Sequence, residues 1–300
     1  MRNFKKYLSV AVIGLVFVCM IPSVLNAAKE SHKRNDGLDQ TPVAEETTDI
    51  TPTPAPTETT EPAETDKTTD PTAEAPTPEP ATPEPIEPEP AVQLGNLPAR
   101  AGEHGVFVTG DASYFDDALF VGDSRTVDLC EYGTLKNADY YSTTGMSVFN
   151  IHERKSTDNP SDLTFDEFIK QKSYGKVYIM LGLNECGYPK SSIVENYQEL
   201  IDQIRVSQPD AIIYIQANLL VTAECSETDE YSNNPDIIKV NNREAKLANG
   251  RDIVYIDINN LFCLPDGTLD PDKTGDGTHI YAKYCAEWCD WLMTRIAQAE

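Results

Sequence analysis

The stretch Ala118-Leu119-Phe120-Val121-Gly122-Asp123-Ser124-Arg125-Thr126 decides the fold. Its apolar residues run without alternation, the pattern of a strand buried on both faces, and such strands belong to parallel sheets. Gly122-Asp123-Ser124 then breaks the run where a helix can begin, so the chain turns from strand to helix at the strand's carboxyl end. Continuous apolar runs at 177–181, 211–215 and 253–258 repeat the strand signal, and a weaker one falls at 139–142. Between them, residues 191–205 put Ile193, Val194, Tyr197, Leu200, Ile201 and Ile204 on one helical face, with Ser192 and Glu195 spaced as a capping box. From Ile280 onward, Tyr284, Cys285, Trp288, Leu292 and Ile296 form another stripe, which predicts a closing helix. Strands alternating with helices predict an α/β fold, a doubly wound three-layer sandwich on a central parallel sheet. In such sheets the ligand site lies at the carboxyl ends of the strands.

Outward from this domain, the chain changes character. Residues 1–28 carry Arg2, Lys5 and Lys6 and then an apolar run at 8–25, the layout of a signal peptide or of an N-terminal membrane anchor. Either one exports the chain, to be secreted or held at the cell surface, and Pro22, Ala27 and Ala28 favour cleavage only weakly. Residues 29–98 are rich in Pro, Thr, Glu and Ala and have almost nothing to bury, so they read as a disordered linker. Thr-Pro and Glu-Pro steps and excess acid make it an extended, self-repelling spacer. Residues 99–300 suffice for one domain with a single buried core.

The chain has a net charge of −25. With +3 in the leader and −12 in the linker, −16 is left for the domain, which argues against nucleic acid as a partner and against anionic membrane surfaces. Membrane contact is expected only through the N-terminal segment, and oligomeric state stays open. Six cysteines lie in the domain, Cys130, Cys186, Cys225, Cys263, Cys285 and Cys289; they allow three bridges, and the pairing stays open. Cys285 and Cys289, four apart, read as core packing. No cysteine or histidine spacing suits zinc, and no metal or cofactor is expected.

Polar groups cluster just after the strands. Ser124 stands where a helix start leaves backbone N–H groups unpaired, so a serine there could attack an acyl carbon while its own N–H holds the oxyanion. Asp276-Gly277-Thr278-His279 follows the last strand, and the aspartate can bend back through Gly277 to fix the imidazole tautomer that accepts the serine proton. Asn184, in Gly182-Leu183-Asn184-Glu185, offers a side-chain donor to an oxyanion, and Gly145, in Ser142-Thr143-Thr144-Gly145-Met146, a backbone one. Singly, each has an ordinary structural reading as a cap or turn residue. His32 lies in the linker, His104 precedes the core and His152 follows no apolar strand, which leaves His279 the best placed.

Taken together, Ser124, Gly145, Asn184 and His279, with Asp276 three before the histidine, resemble the SGNH (GDSL-type) serine hydrolase family, whose four blocks supply Ser, Gly, Asn and His in that order. The resemblance runs from Phe120 to the last helix. It implies the flavodoxin-like SGNH sandwich and an esterase or acylhydrolase with Ser124, Asp276 and His279 as catalytic triad and Ser124, Gly145 and Asn184 as oxyanion hole. Two positions depart from the usual blocks. Arg125 replaces a leucine and reads as a solvated helix residue, with a place at the pocket mouth as the alternative, and Glu185 replaces an aspartate, lengthening the carboxylate that supports Asn184.

The expected substrate is an acyl ester. Export, spacer and family together point to short acyl groups, such as O-acetyl groups on envelope or extracellular polysaccharide. A lipid ester, transfer of the acyl group to a glycan alcohol, and a non-catalytic envelope-binding module are the alternatives. A nucleophile-elbow hydrolase is disfavoured because Thr126 stands where that turn needs glycine. A calcium loop at Asp270, Asp272 and Asp276 fails at its closing position, Tyr281. Cys186 has only its nearness to Asn184 to suggest a nucleophile.

Overall fold

The computed structural model describes residues 86–298 apart from 93, 94 and 160. The leader at 1–28 and most of the linker at 29–98 lie outside the described residues. In chain order the elements are β1 (Phe107–Val108), β2 (Ala118–Gly122), α1 (Ser124–Tyr132), β3 (Asp139–Ser142), α2 (Phe165–Phe168), β4 (Lys176–Met180), α3 (Lys190–Ser207), β5 (Ile212–Gln216), α4 (Ala223–Thr228), α5 (Asn234–Glu244), β6 (Ile253–Ile256), α6 (Asn259–Phe262), α7 (Cys285–Leu292) and β7 (Ile296–Ala297).

Strands β3-β2-β4-β5-β6 form one sheet in that spatial order, every neighbouring pair parallel. The first strand of this sheet in the chain is therefore flanked by the second and the third, which is the doubly wound, flavodoxin-like order with its switch point beside β2. The chain leaves β2 and β4 toward opposite layers there, and the crevice this opens is where the site forms.

Both faces of the sheet are buried, which is why its strands read as continuous apolar runs. On one face Leu119, Val121, Val177, Ile179 and Ile213 pack with Ile193, Tyr197, Leu200 and Ile204, the stripe of α3. On the other, Phe120, Tyr178, Tyr214 and Ile256 pack with Cys285, Trp288, Cys289 and Leu292 of α7. Tyr140, Phe120, Tyr178 and Tyr214 are register partners on four adjacent strands, and their rings stack at 5.1, 4.6 and 4.1 Å. Such ring pairs contribute about 0.5–1.5 kcal/mol each beyond the area they bury, so the row pins the strand register.

Local expectations differ from the structure in three places. The run at 253–258 stops at Ile256, because Asp257 Oδ1 accepts from Asn259 N at 3.0 Å and turns the chain into α6. Helix α3 starts at Lys190 behind Pro189 and has no side-chain cap, so Ser192 and Glu195 lie inside the helix and form no capping box. Proline presets the backbone angle at the start, which moves the boundary upstream of the serine. The closing helix ends at Leu292, and Ile296 leaves the stripe for β7, paired antiparallel with β1. Ala297 N donates to Tyr214 Oη at 2.8 Å and Arg295 Nε to Glu103 Oε2 at 2.9 Å, partners a continued helix would lose.

The described end of the proline-rich stretch lies on the domain: Glu89 N donates to Glu103 O at 2.7 Å, and Val92 and Arg100 exchange backbone hydrogen bonds of 2.7 and 2.8 Å. All six domain cysteines are free thiols, with Cys285 and Cys289 buried in the core. No helix among the described residues is long and apolar enough to cross a membrane.

Candidate active site

Strand β2 ends at Gly122, and Asp123 caps α1 by accepting the backbone N–H of Arg125 at 3.0 Å. Ser124 is the first residue of the helix, on the crevice beside the switch point. Arg125 departs from the expectation of a solvated helix residue: it is 1% exposed. Its Nη2 and Nε reach the two carboxylate oxygens of Asp123 at 2.6 and 3.1 Å, and Nη2 also donates to Asn218 Oδ1 at 3.0 Å. A guanidinium fork matches a carboxylate in this way, which is what lets both charges sit inside. The sequence carried a signal for it, since Arg125 lies four before buried Leu129 on the inward face of α1.

The loop after α6 brings up the other groups. Asp276 Oδ1 accepts the backbone N–H of Thr278 and of His279, both at 2.8 Å, so the carboxylate folds back over its own turn. Oδ2 lies 2.7 Å from His279 Nδ1, and His279 Nε2 lies 2.8 Å from Ser124 Oγ. Burial opposes the charge on Asp276, but the His279 and Thr278 N–H groups and the imidazole together outweigh it and hold the carboxyl at about 2. Gly277, with φ of +82°, makes the bend, and its carbonyl accepts from Thr222 N at 2.9 Å. The structure thus brings Ser124, His279 and Asp276 into one hydrogen-bonded line.

Of the three oxyanion donors expected, two are backbone groups free to point outward. The N–H groups of Ser124 and Gly145 have no hydrogen-bond partner among the described residues. Gly145 holds a φ of +76° in the turn after β3. Asn184 sits beside them on the loop after β4, its Nδ2 donating to Met146 O at 2.8 Å and lying 3.5 Å from Asp123 Oδ2. An amide nitrogen has two hydrogens, and no hydrogen bond shorter than that 3.5 Å contact engages the second. Glu185 is buried, and its Oε1 accepts Val148 N–H at 2.8 Å, which ties the Asn184 loop to the Gly145 loop. Burial pushes the Glu185 carboxyl up to about 7, against the pull of Val148 N–H.

An open groove of about 520 Å³ fronts Ser124, lined also by Asp128, Thr144, Asp276, His279 and Tyr281. Asp128, one turn along α1 from Ser124, escaped the sequence reading because spacing alone does not separate it from a surface carboxylate. Burial raises it to about 6, more than the attraction of His279 lowers it. Of the groups set aside earlier, His152 lies at the surface against Asp166 Oδ1 at 2.9 Å, and burial pushes the Cys186 thiol up to about 12, where it is no nucleophile.

The sequence model of the GDSL-like lipase/acylhydrolase family matches residues 120–283, the span from β2 to the loop behind His279. The chain belongs to this family. It is accordingly an α/β serine ester hydrolase, and the family's span covers each strand of the parallel sheet from within β2 onward. Comparison with curated proteins finds no match by sequence. Similar solved structures include a provisionally assigned platelet activating factor from Streptococcus pneumonia, 17% identical, covering 61% of this chain and 90% of that one at a TM-score of 0.48. A GDSL-like lipase from Bacteroides thetaiotaomicron is 16% identical over 58% of this chain and 84% of its own, TM-score 0.42. A family 3 carbohydrate esterase from Talaromyces cellulolyticus is 15% identical over 59% and 91%, TM-score 0.40.

Proposed function

We propose that the chain is an extracytoplasmic esterase that removes short acyl groups, O-acetyl above all, from envelope or extracellular polysaccharide, with Ser124 as nucleophile. The observation that carries the reading is the line from Asp276 Oδ2 to His279 Nδ1 (2.7 Å) and from His279 Nε2 to Ser124 Oγ (2.8 Å), ending on an open groove. Ser124 Oγ attacks the acyl carbon as His279 Nε2 takes its proton. The carbonyl oxygen becomes an oxyanion facing the Ser124 and Gly145 N–H groups and the Asn184 amide. His279 returns the proton to the leaving alcohol, and Asp276 steadies the imidazolium. Water, deprotonated by the same histidine, then cleaves the acyl-enzyme to acid and free Ser124.

The preference for a short acyl group rests on the groove's lining, where Asp128, Thr144 and Asp276 interrupt the apolar surface that a long chain would need to bury. The apolar leader and the acidic, proline-rich spacer support action outside the cytoplasm. The test is turnover of p-nitrophenyl acetate, octanoate and palmitate by the full chain beside Ser124→Ala. Acetate-selective turnover that vanishes in the variant supports the reading. Preference for palmitate would redirect it to lipid, and near-normal activity in Ser124→Ala would remove Ser124 from the chemistry.

A further inference from the structure

Five aromatic side chains among the described residues are exposed, and four of them, Phe149, Tyr188, Tyr231 and Tyr281, stand on loops at the carboxyl edge of the sheet, 37 to 59% exposed. We propose that these rings form two banks of a cleft that holds several sugars of an uncharged glycan chain around the ester at Ser124, a reading that rests on the esterase function above.

One bank is Phe149 and Tyr188, whose rings lie 5.0 Å apart. Their loops are tied together by Glu185 Oε1 to Val148 N and Asn184 Nδ2 to Met146 O, each 2.8 Å, the same ties that hold Gly145 beside Asn184. Tyr231 extends this bank: a Cβ placed on Gly187 would come within 2.8 Å of its Cδ1, so the ring covers the glycine next to Tyr188. Tyr231 also lines, with Asp276 and Thr278, a hollow of about 460 Å³ that shares Asp276 with the Ser124 groove. The second bank is Tyr281, in the groove itself with Ser124 and His279 and 3.0 Å from where a Cβ on Gly275 would lie.

Exposed rings on the loops around a reacting serine suit a ligand that is apolar on its flat faces and polar at its rim, and a pyranose has that form. Its C–H faces cover the rings while its hydroxyls donate to carboxylates between them, Asp229 and Glu230 in the hollow and Asp128 in the groove. A fatty chain would have to cross those carboxylates. No lysine or arginine lines either space among the described residues, and with Lys283 Nζ 5.6 Å from the centroid of the Tyr281 ring as the cation beside them, a polyuronate or a phosphate-bearing polymer meets mainly the repulsion of Asp128, Asp229, Glu230 and Asp276. Arg154, near the Gly145 loop, donates to Gly145 O at 3.3 Å.

The test uses the full chain with mono-O-acetylated, neutral β-1,4-linked oligosaccharides of two, four and six sugars, O-acetylated polygalacturonate, and p-nitrophenyl acetate. The expected result is kcat/KM rising with chain length and low on the polyuronate. Tyr188→Ala and Tyr281→Ala should each cut the ratio of hexasaccharide to p-nitrophenyl acetate kcat/KM by roughly three- to tenfold, the range of one ring contact. Length-independent kcat/KM, preference for the polyuronate, or an unchanged ratio in both variants overturns the cleft. Calorimetry with Ser124→Ala and the unacetylated oligosaccharides separates the two readings. Length-dependent binding by a chain that cleaves no ester keeps the cleft and removes the esterase, whereas no binding removes the cleft.

Discussion

Arg125 and Asp123 form an ion pair sealed under the first turn of α1, 2.6 Å between Nη2 and Oδ2, with 1% of either side chain exposed. Removing one partner leaves the other a buried, uncompensated charge. Arg125→Leu is therefore expected to lower stability to urea by about 3–5 kcal/mol, and Arg125→Lys by less, because an ammonium keeps the charge but cannot take both oxygens. Asp123 also caps the helix that starts at Ser124, so whatever Arg125→Leu folds should lose kcat more than KM. A variant as stable as the parent would show that the pair only fills space.

Glu185 links stability to pH. Burial raises its carboxyl to about 7, with Asp123 adding repulsion and Arg125 attraction; buried Glu244, Cys186 and Tyr197 also face this region. The folded carboxyl thus holds a proton that the unfolded one sheds near its ordinary value of 4.5. Between those two values the native state binds more protons, so this group's contribution to stability falls as pH rises toward 7 and is level above it. Glu185→Gln keeps an oxygen for Val148 N–H and has nothing to titrate. Its urea stability should fall less than the parent's between pH 5 and 8, by up to about 3 kcal/mol. Parallel pH curves for the two proteins would place the titration elsewhere.

What the sequence made legible follows from how each feature is buried. β2, β4 and β5 were readable because both faces of each are covered, so their residues are apolar in succession. Ser124 stood out because a polar residue follows β2 where no core needs it, and Asp276 and His279 because they stand together in the polar loop beyond β6. Arg125 was misread because a charge reads as solvated unless its partner is known, and Asn218, one of its partners, lies 93 residues away. Ile296 continued the spacing of Trp288 and Leu292, and only the pairing with Phe107 and Val108 takes it out of the helix. The exposed rings had no period to betray them, since loops place residues by tertiary ties such as Glu185 to Val148.

Asp276→Asn should leave the fold intact and strip the chemistry. An asparagine amide offers hydrogen to His279 Nδ1, where the carboxylate accepts it at 2.7 Å, so the ring is driven to the tautomer with its proton on Nε2, facing Ser124. That tautomer cannot take the serine proton, and kcat on p-nitrophenyl acetate is expected to drop about 10³–10⁴-fold. With the parent carboxyl held at about 2, Asp276 stays ionised throughout pH 4–9, so an acid limb in the parent's kcat/KM profile belongs to another group. A loss below tenfold would mean that Asp276 does not orient the histidine.

Gly145 and Gly277 both adopt positive φ, +76° and +82°, and separate backbone strain from steric overlap. A Cβ on Gly145 would meet only Arg154 Nη1, at 3.1 Å, the far end of a side chain that can swing away. Gly145→Ala should then cost about 1–2 kcal/mol, the penalty of the left-handed conformation, and lower kcat by turning the N–H proposed to face the oxyanion. A Cβ on Gly277 would overlap Cys225 Sγ and come within 2.7 Å of Thr222 Oγ1. Those atoms flank the turn whose carbonyl holds Thr222 N, so the Asp276–His279 loop has to shift as well as strain. Gly277→Ala should be the less stable of the two in urea and lose more activity, and adding Cys225→Ala should restore part of both by clearing the sulfur. Equal losses in the two glycine variants, or no recovery in the double variant, would mean that strain alone and not the Cys225 contact sets the demand for glycine at 277.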